Sequence, residues 1–257
     1  MEGREGNAAG LVPRVVDPLV LRDGAGVDFA GTLRDAGRPS GVVLVHGIVG
    51  SRRLPELDEV AAALAAEHDT LAIDVRGHGD TPGRFTWGRE EWRQVDAAAR
   101  YLAAGGRRVA LIGFSFGGYH AVRAKARGAP ADRLVLVSAP ADRTILDHFP
   151  FGPAFWRHLP VMLRSSRRRR ARLESAYWSG DTLLSDDEIR RVECPVLVIH
   201  GTGDWLVSRR HARRYLDLLP SAAYLEFSRG FHAEYLMASH PAELLSALRG
   251  FLGALLP

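Results

Sequence analysis

The sequence predicts an α/β fold: a mostly parallel, doubly wound sheet of about eight strands, with flanking helices and a small helical cap insertion. Three observations carry this expectation. Short apolar runs rich in Val, Ile and Leu alternate with stretches of helical apolar spacing. The chain has 257 residues, enough for one domain with a sizeable core. One apolar run, Val109 to Ile112, passes directly into Gly113-Phe114-Ser115-Phe116-Gly117-Gly118. A strand followed by Gly-x-Ser-x-Gly is the pattern of a tight strand-to-helix turn that exposes a serine hydroxyl.

The elements follow in order. Leu19–Leu21 and Val27–Leu33 read as an opening antiparallel hairpin around Asp23-Gly24, and Gly41–His46 as a buried strand. Leu54–Glu67 has helical spacing, Thr70–Val75 is the next strand, and Glu90–Leu102 the next helix. Val109–Phe114 leads into the serine turn, which continues as a helix over Tyr119–Ala126, and Arg133–Ser138 is a further strand. The alternation breaks over approximately 141–191, which holds no clear strand and reads as the helical insertion. It resumes with strand Val196–His200, a helix around Arg209–Leu219, strand Ala223–Ser228 and a final helix Pro241–Leu252. Residues 1–16 read as a flexible N-terminus and 17–257 as a single domain, with no internal repeat and no low-complexity linker.

Composition bounds the function classes. Hydrophobic residues make up 46% and charged residues 25%, the balance of an ordinary globular chain. No apolar run is long enough to span a bilayer, so an integral membrane segment is not expected. The polar, glycine-rich start lacks a signal-peptide core, which points to the cytoplasm. The net charge is +4 and nearly all of the basic charge is arginine, Lys125 being the one lysine. Acids intersperse the arginines and no nucleic-acid-binding motif occurs, so no nucleic-acid partner is expected. The lone Cys194, before Pro195 at the start of a strand, reads as a buried structural thiol. Nothing in the sequence sets the oligomeric state.

In doubly wound sheets, ligands meet the carboxyl ends of the strands. The residues found there are His46-Gly47-Ile48-Val49-Gly50, Asp74-Val75-Arg76-Gly77-His78-Gly79, the Ser115 turn, Gly201-Thr202-Gly203-Asp204 and Gly230-Phe231-His232. Serine, aspartate and histidine thus occur in that order, each at a strand end. Taken singly, each has a plainer reading as a turn serine, a capping aspartate or a surface histidine. Through His46-Gly47, Arg76-Gly77-His78-Gly79, Gly113–Gly118, Gly201–Asp204 and Gly230–His232, the chain resembles the α/β-hydrolase superfamily, in its serine-nucleophile, carboxylesterase-like branch, over nearly its whole length.

The resemblance implies a nucleophile–acid–histidine triad of Ser115, Asp204 and His232. A serine hydroxyl needs a base to accept its proton, and the base needs an anion to hold its tautomer. It further implies an oxyanion hole from the backbone N–H groups of Ile48 and Phe116. Asp142, after the strand ending at Ser138, competes with Asp204, because some relatives draw the acid from there. His46 and His78 become structural residues of their loops. No paired-histidine helix, cysteine cluster or phosphate-binding glycine loop occurs, so neither a metal nor a cofactor is expected.

The insertion is implied to form a cap. Its apolar residues, among them Phe151, Trp156, Met162 and Trp178, either line an acyl pocket or anchor the cap to the sheet. Its arginines, Arg164, Arg167–Arg170 and Arg172, either recruit an anionic substrate or an anionic membrane surface, or form a solvated helix face. The Gly79–Gly88 connection, which carries Arg84-Phe85-Thr86-Trp87-Gly88, resembles the equivalent loop of small-molecule carboxylesterases of this superfamily, including the cinnamoyl-esterase-like group. The expected function is hydrolysis of small carboxylic esters through an acyl-enzyme. Thioesterase, peptidase or acyltransferase chemistry on the same triad is the alternative, and a non-catalytic ligand-binding protein on a hydrolase scaffold the third.

Overall fold

The computed structural model describes residues 12–48, 50–142, 156–157, 159–160, 171–175 and 184–256. Strands β1 (Arg14–Arg22) and β2 (Asp28–Asp35) form the opening hairpin. The Asp23 carboxylate closes its turn by accepting the N–H groups of Ala25 and Val27. Then come β3 (Ser40–Val45), β4 (Asp69–Ile73), β5 (Arg108–Phe114), β6 (Arg133–Val137), β7 (Val196–Gly201) and β8 (Ala223–Phe227). They build one eight-stranded sheet in the order β1-β2-β4-β3-β5-β6-β7-β8. β1–β2 and β2–β4 pair antiparallel, and every other pair is parallel.

Alternation along the strands divides the core between the two sheet faces, because successive side chains point opposite ways. Val43, Val45, Leu71, Leu111 and Leu136 face one side with helices α2 (Trp92–Ala104) and α3 (Phe116–Ala126). Val42, Leu44, Ile112, Val135 and Ile199 face the other, with α1 (Pro55–Leu64) and the last helix. α1 begins with Pro55 and carries Glu56 and Asp58 in its first turn, where a fixed φ and negative charge suit the helix N-terminus. It buries Leu57, Val60, Ala61 and Leu64, the i, i+3, i+4, i+7 stripe of an amphipathic helix. The central parallel strands are buried on both faces, which is why they read as continuous apolar runs.

Beyond β6, α4 (Asp186–Arg190) starts at Ser185, whose Oγ caps the Glu188 N–H. α5 is Arg209–Leu218 and α6 is Pro241–Leu252. The C-terminal end of the expected insertion is therefore tied to the main body. Glu188 pairs with Arg123 of α3 at 3.1 Å and with Arg127 at 3.1 Å. Leu173 forms a parallel β-bridge with Phe85. No helix among the described residues is long and apolar enough to cross a membrane.

Several boundaries moved. β1 begins at Arg14, inside the stretch 1–16 expected to be flexible, because Arg14, Val15 and Val16 pair with Asp35, Arg34 and Leu33 of β2. The helix after Ser115 begins at Phe116 rather than Tyr119. Gly117 and Gly118 are poor helix formers, but tertiary packing requires them there. A Cβ on Gly117 would collide with the backbone carbonyls of Val45 and His46. The helix expected from Leu54 to Glu67 is shorter, because Ala65 caps it and the chain turns toward β4.

Candidate active site

β5 delivers Ser115 to the carboxyl end of the sheet. Its φ and ψ are 50° and −125°, a conformation that costs a non-glycine residue about 1–3 kcal/mol. The surroundings hold it there. Ser115 N–H donates to Val137 O at 2.8 Å, and Gly118 N–H donates to Ser115 O at 2.9 Å. A side chain at Gly113 would overlap the Gly118 backbone, so strand and helix approach this closely only through glycine. α3 then starts at Phe116, where no preceding turn of helix supplies carbonyls to the first N–H groups.

β7 and β8 bring in the other two residues. Asp204 follows β7, and its side chain is 1% exposed. One oxygen accepts the N–H groups of Leu206 (2.9 Å) and Val207 (3.0 Å). The other lies 2.8 Å from His232 Nδ1. A carboxylate accepts, so Nδ1 carries the proton and Nε2 keeps its lone pair. The loops carrying them are stitched together: Gly203 N–H donates to Gly230 O at 3.0 Å, and Arg229 N–H to Thr202 Oγ1 at 2.6 Å. Ala233, next to His232, donates its N–H to Ser138 Oγ at 3.1 Å.

Burial works against the Asp204 charge, but the His232 charge and hydrogen bond, His200 and the Val207 N–H outweigh it. The carboxyl is held down to about 2. Burial also works against the His232 charge, yet Asp204 and Glu234 prevail and raise its pKa. His200, 3.9 Å from Asp204, is pushed down mainly by burial and donates from Nε2 to Val207 O.

Ser115 and His232 line one pocket with Gly47, Ile48, Gly50, Leu54, Trp205, Leu206, Glu234 and Tyr235. It holds about 440 Å³ of empty space, part of it open to solvent. The β3 loop that brings Ile48 here is firmly held. His46 Nδ1–H donates to Gly47 O at 2.7 Å, and Gly50 N–H to the same oxygen at 3.0 Å. The Val75 N–H donates to His46 Nε2 at 3.3 Å, which fixes the tautomer. His78 Nδ1 lies 3.1 Å from Arg76 O, and burial pushes this ring down to about 3. Both histidines thus bond backbone groups of the loops they belong to.

Of the residues expected at the site, Ser115, His232 and Ile48 line the pocket, Asp204 holds His232, and Phe116 opens the helix behind Ser115. Asp142 sits apart, facing His211 Nδ1 at 3.8 Å and Arg214 at 3.6 Å. Trp156 is 58% exposed and is not among the residues lining the pocket. Phe151, Met162, Trp178, Arg164 and Arg167–Arg170 lie outside the described residues. Arg172 is engaged by the fold, donating to Gly83 O at 3.1 Å and Thr81 O at 2.5 Å. The sequence reading missed the pocket-lining Leu54, Trp205, Leu206, Glu234 and Tyr235. Their position beside Asp204, His232 and the β3 loop was the available signal.

Sheet, helices and strand-end loops together define an α/β hydrolase, and the chain belongs to the alpha/beta hydrolase family, whose model matches residues 42–247. No curated protein matches the sequence. Among solved structures it is similar to the esterase Pf2001 of Pyrococcus furiosus, at 21% identity over 94% of this chain and 93% of that one, with a TM-score of 0.74. It is similar to the esterase RhEst1 from Rhodococcus sp. ECU1013, at 22% identity over 93% of this chain and 100% of that one, with a TM-score of 0.75. Est816, an N-acyl homoserine lactone degrading enzyme, shares 16% identity over 91% of this chain and 100% of that one, at a TM-score of 0.74. At these identities the likeness establishes the fold.

Proposed function

We propose that the protein is a serine hydrolase of small carboxylic esters, with Ser115 as nucleophile, His232 as base and Asp204 as its anchor. The observation that carries this reading is the 2.8 Å His232–Asp204 hydrogen bond, formed by a histidine that shares a pocket with a serine on a strained turn. His232 Nε2 takes the Ser115 proton as Oγ attacks the ester carbonyl carbon. The carbonyl π electrons move to oxygen, and the backbone N–H groups of Ile48 and Phe116 receive that oxyanion. Collapse expels the alcohol, protonated by His232, and leaves Ser115 acylated. Water then repeats the cycle through His232 and releases the acid.

The pocket supports neutral, largely apolar substrates. Ile48, Leu54, Trp205 and Leu206 line it, and Glu234 places a carboxylate in it. The esterase neighbours and the lactone-degrading Est816 agree with acyl–oxygen cleavage.

The test combines p-nitrophenyl esters of increasing acyl length with a fluorophosphonate. Turnover of short esters, with a phosphonyl adduct mapped to Ser115, is the expected result. No turnover across the series and no adduct would leave a ligand-binding protein on a hydrolase scaffold.

A further inference from the structure

We propose that Glu234 is a positioning residue for the oxyanion loop, binding that loop to the histidine loop through the Gly47 N–H; the inference rests on the serine-hydrolase reading. Glu234 lies two residues after His232 and is 4% exposed. Its Oε1 accepts the Gly47 N–H at 2.5 Å, across 187 positions of sequence. β3 ends at Val45, so no strand partner continues the ladder to Gly47. A buried N–H at such a place must find an acceptor, and the histidine loop supplies it.

Gly47 is thereby held through both of its peptide groups. Glu234 fixes the peptide before it, while His46 Nδ1–H and Gly50 N–H fix the carbonyl of the peptide after it. That second peptide is the one whose N–H belongs to Ile48. In a trans peptide the N–H points opposite the C=O. Anchoring Gly47 O therefore sets the direction of the Ile48 N–H, and anchoring the Gly47 N–H stops the loop from pivoting about Gly47.

Glycine at 47 gives this contact room. A Cβ on Gly47 would sit 3.0 Å from Ser115 Cβ and 3.3 Å from Glu234 Oε1. Nucleophile, oxyanion loop and carboxylate thus converge on one Cα. Ala233 adds the neighbouring tie, its N–H on Ser138 Oγ, so both residues after His232 fasten its loop to other strand ends.

An acceptor, not a charge, is what the loop requires. Glu234→Gln keeps the accepting oxygen, and Glu234→Met keeps the volume without one. With p-nitrophenyl butyrate, E234M is expected to lower kcat about 10- to 100-fold, part of the loss seen when an oxyanion donor is removed outright, with KM little changed. E234Q should retain most of the wild-type kcat. Hydrogen exchange of the peptide covering 43–50 should quicken in E234M and stay protected in E234Q. Unchanged kcat in E234M, or unchanged exchange at Gly47, overturns the proposal. Wild-type protein that takes up no fluorophosphonate sinks the serine reading and the catalytic half of this inference with it. Labelled wild type beside an unimpaired E234M sinks the inference alone.

Discussion

His232 and Asp204 share a hydrogen bond of 2.8 Å, and the same carboxylate is held from its other side by two backbone N–H groups. That leaves Asp204 no room to turn and gives His232 one tautomer. Asp142 has no comparable relation to His232; its neighbours are His211 and Arg214.

Asp204→Asn should therefore lower kcat by about 10⁴, because an amide stabilises the wrong tautomer. Asp142→Asn should stay near the wild-type rate. Steady-state kinetics of the two variants on one ester separates the two acids; a collapse in the Asp142 variant with Asp204→Asn active would reverse the assignment.

The pH profile follows from the shift of His232. Its pKa is raised above 6.5, and in the proposed mechanism only the neutral ring accepts the Ser115 proton. The kcat/KM of the protein should rise with pH through an apparent pKa above 6.5. Asp204, His200, Ser115 and Glu234 are the groups around that ring, and Glu234 is one of those that raise it. In Glu234→Gln the rise should move to lower pH. The raised pKa also contributes stability that is complete below 6.5 and is lost as pH rises through the folded value.

Acid should destabilise the fold through different histidines. His120 is fully buried, neither ring nitrogen has a hydrogen-bond partner among the described residues, and burial holds it well below 6.5. His78 lies at about 3. Both stay neutral in the folded protein while the unfolded chain takes up protons, so their contribution is intact above 6.5 and falls as pH drops. Each costs about 1.4 kcal/mol per pH unit over that window. His120→Leu should keep its stability at pH 7 and lose less between about pH 6 and 4. Tm measured against pH reads this; parallel acid limbs would contradict it.

Arg52 is 1% exposed and bonds three aspartates: Asp74, Asp17 at 2.8 Å and Asp80 at 2.7 Å. Burial pushes Asp74 up despite this partner. Arg52→Met should destabilise the protein by about 3–5 kcal/mol, the effect of stranding a buried charge. The loss should shrink as pH falls, because Asp74 then protonates. Urea unfolding at two pH values gives the answer, and an equal loss at both would rule out this cause.

The strand ends were legible because chemistry restricts what stands there. Glycines at 113 and 117 mark a backbone contact that no other residue permits, and they placed Ser115. Order along the chain placed Asp204 and His232. Glu234 was not legible: an acid two residues after a histidine reads as a solvated side chain, and only the folding of β3 beside the His232 loop gives it the Gly47 N–H. Trp205 and Leu206 directly follow Asp204, a signal that went unused; their share in the pocket also depends on Gly47, Ile48 and Ser115 far away in the chain. The start of α3 was misplaced because the glycine requirement of the turn overrides helix propensity.

Phe85 and Leu173 are joined across the long excursion between β6 and α4, and Trp87 Nε1–H donates to Glu174 O at 2.8 Å beside them. The returning chain is moored to the Phe85–Trp87 loop before it reaches Glu188. An excursion closed at both ends adds entropy cost only logarithmically with its length, about 0.6 kcal/mol per doubling. A change in the length of that excursion should thus cost the sheet and its strand-end groups little stability. The mooring at Phe85 and Trp87 thus uncouples the length of the excursion from the placing of Ser115, Asp204 and His232.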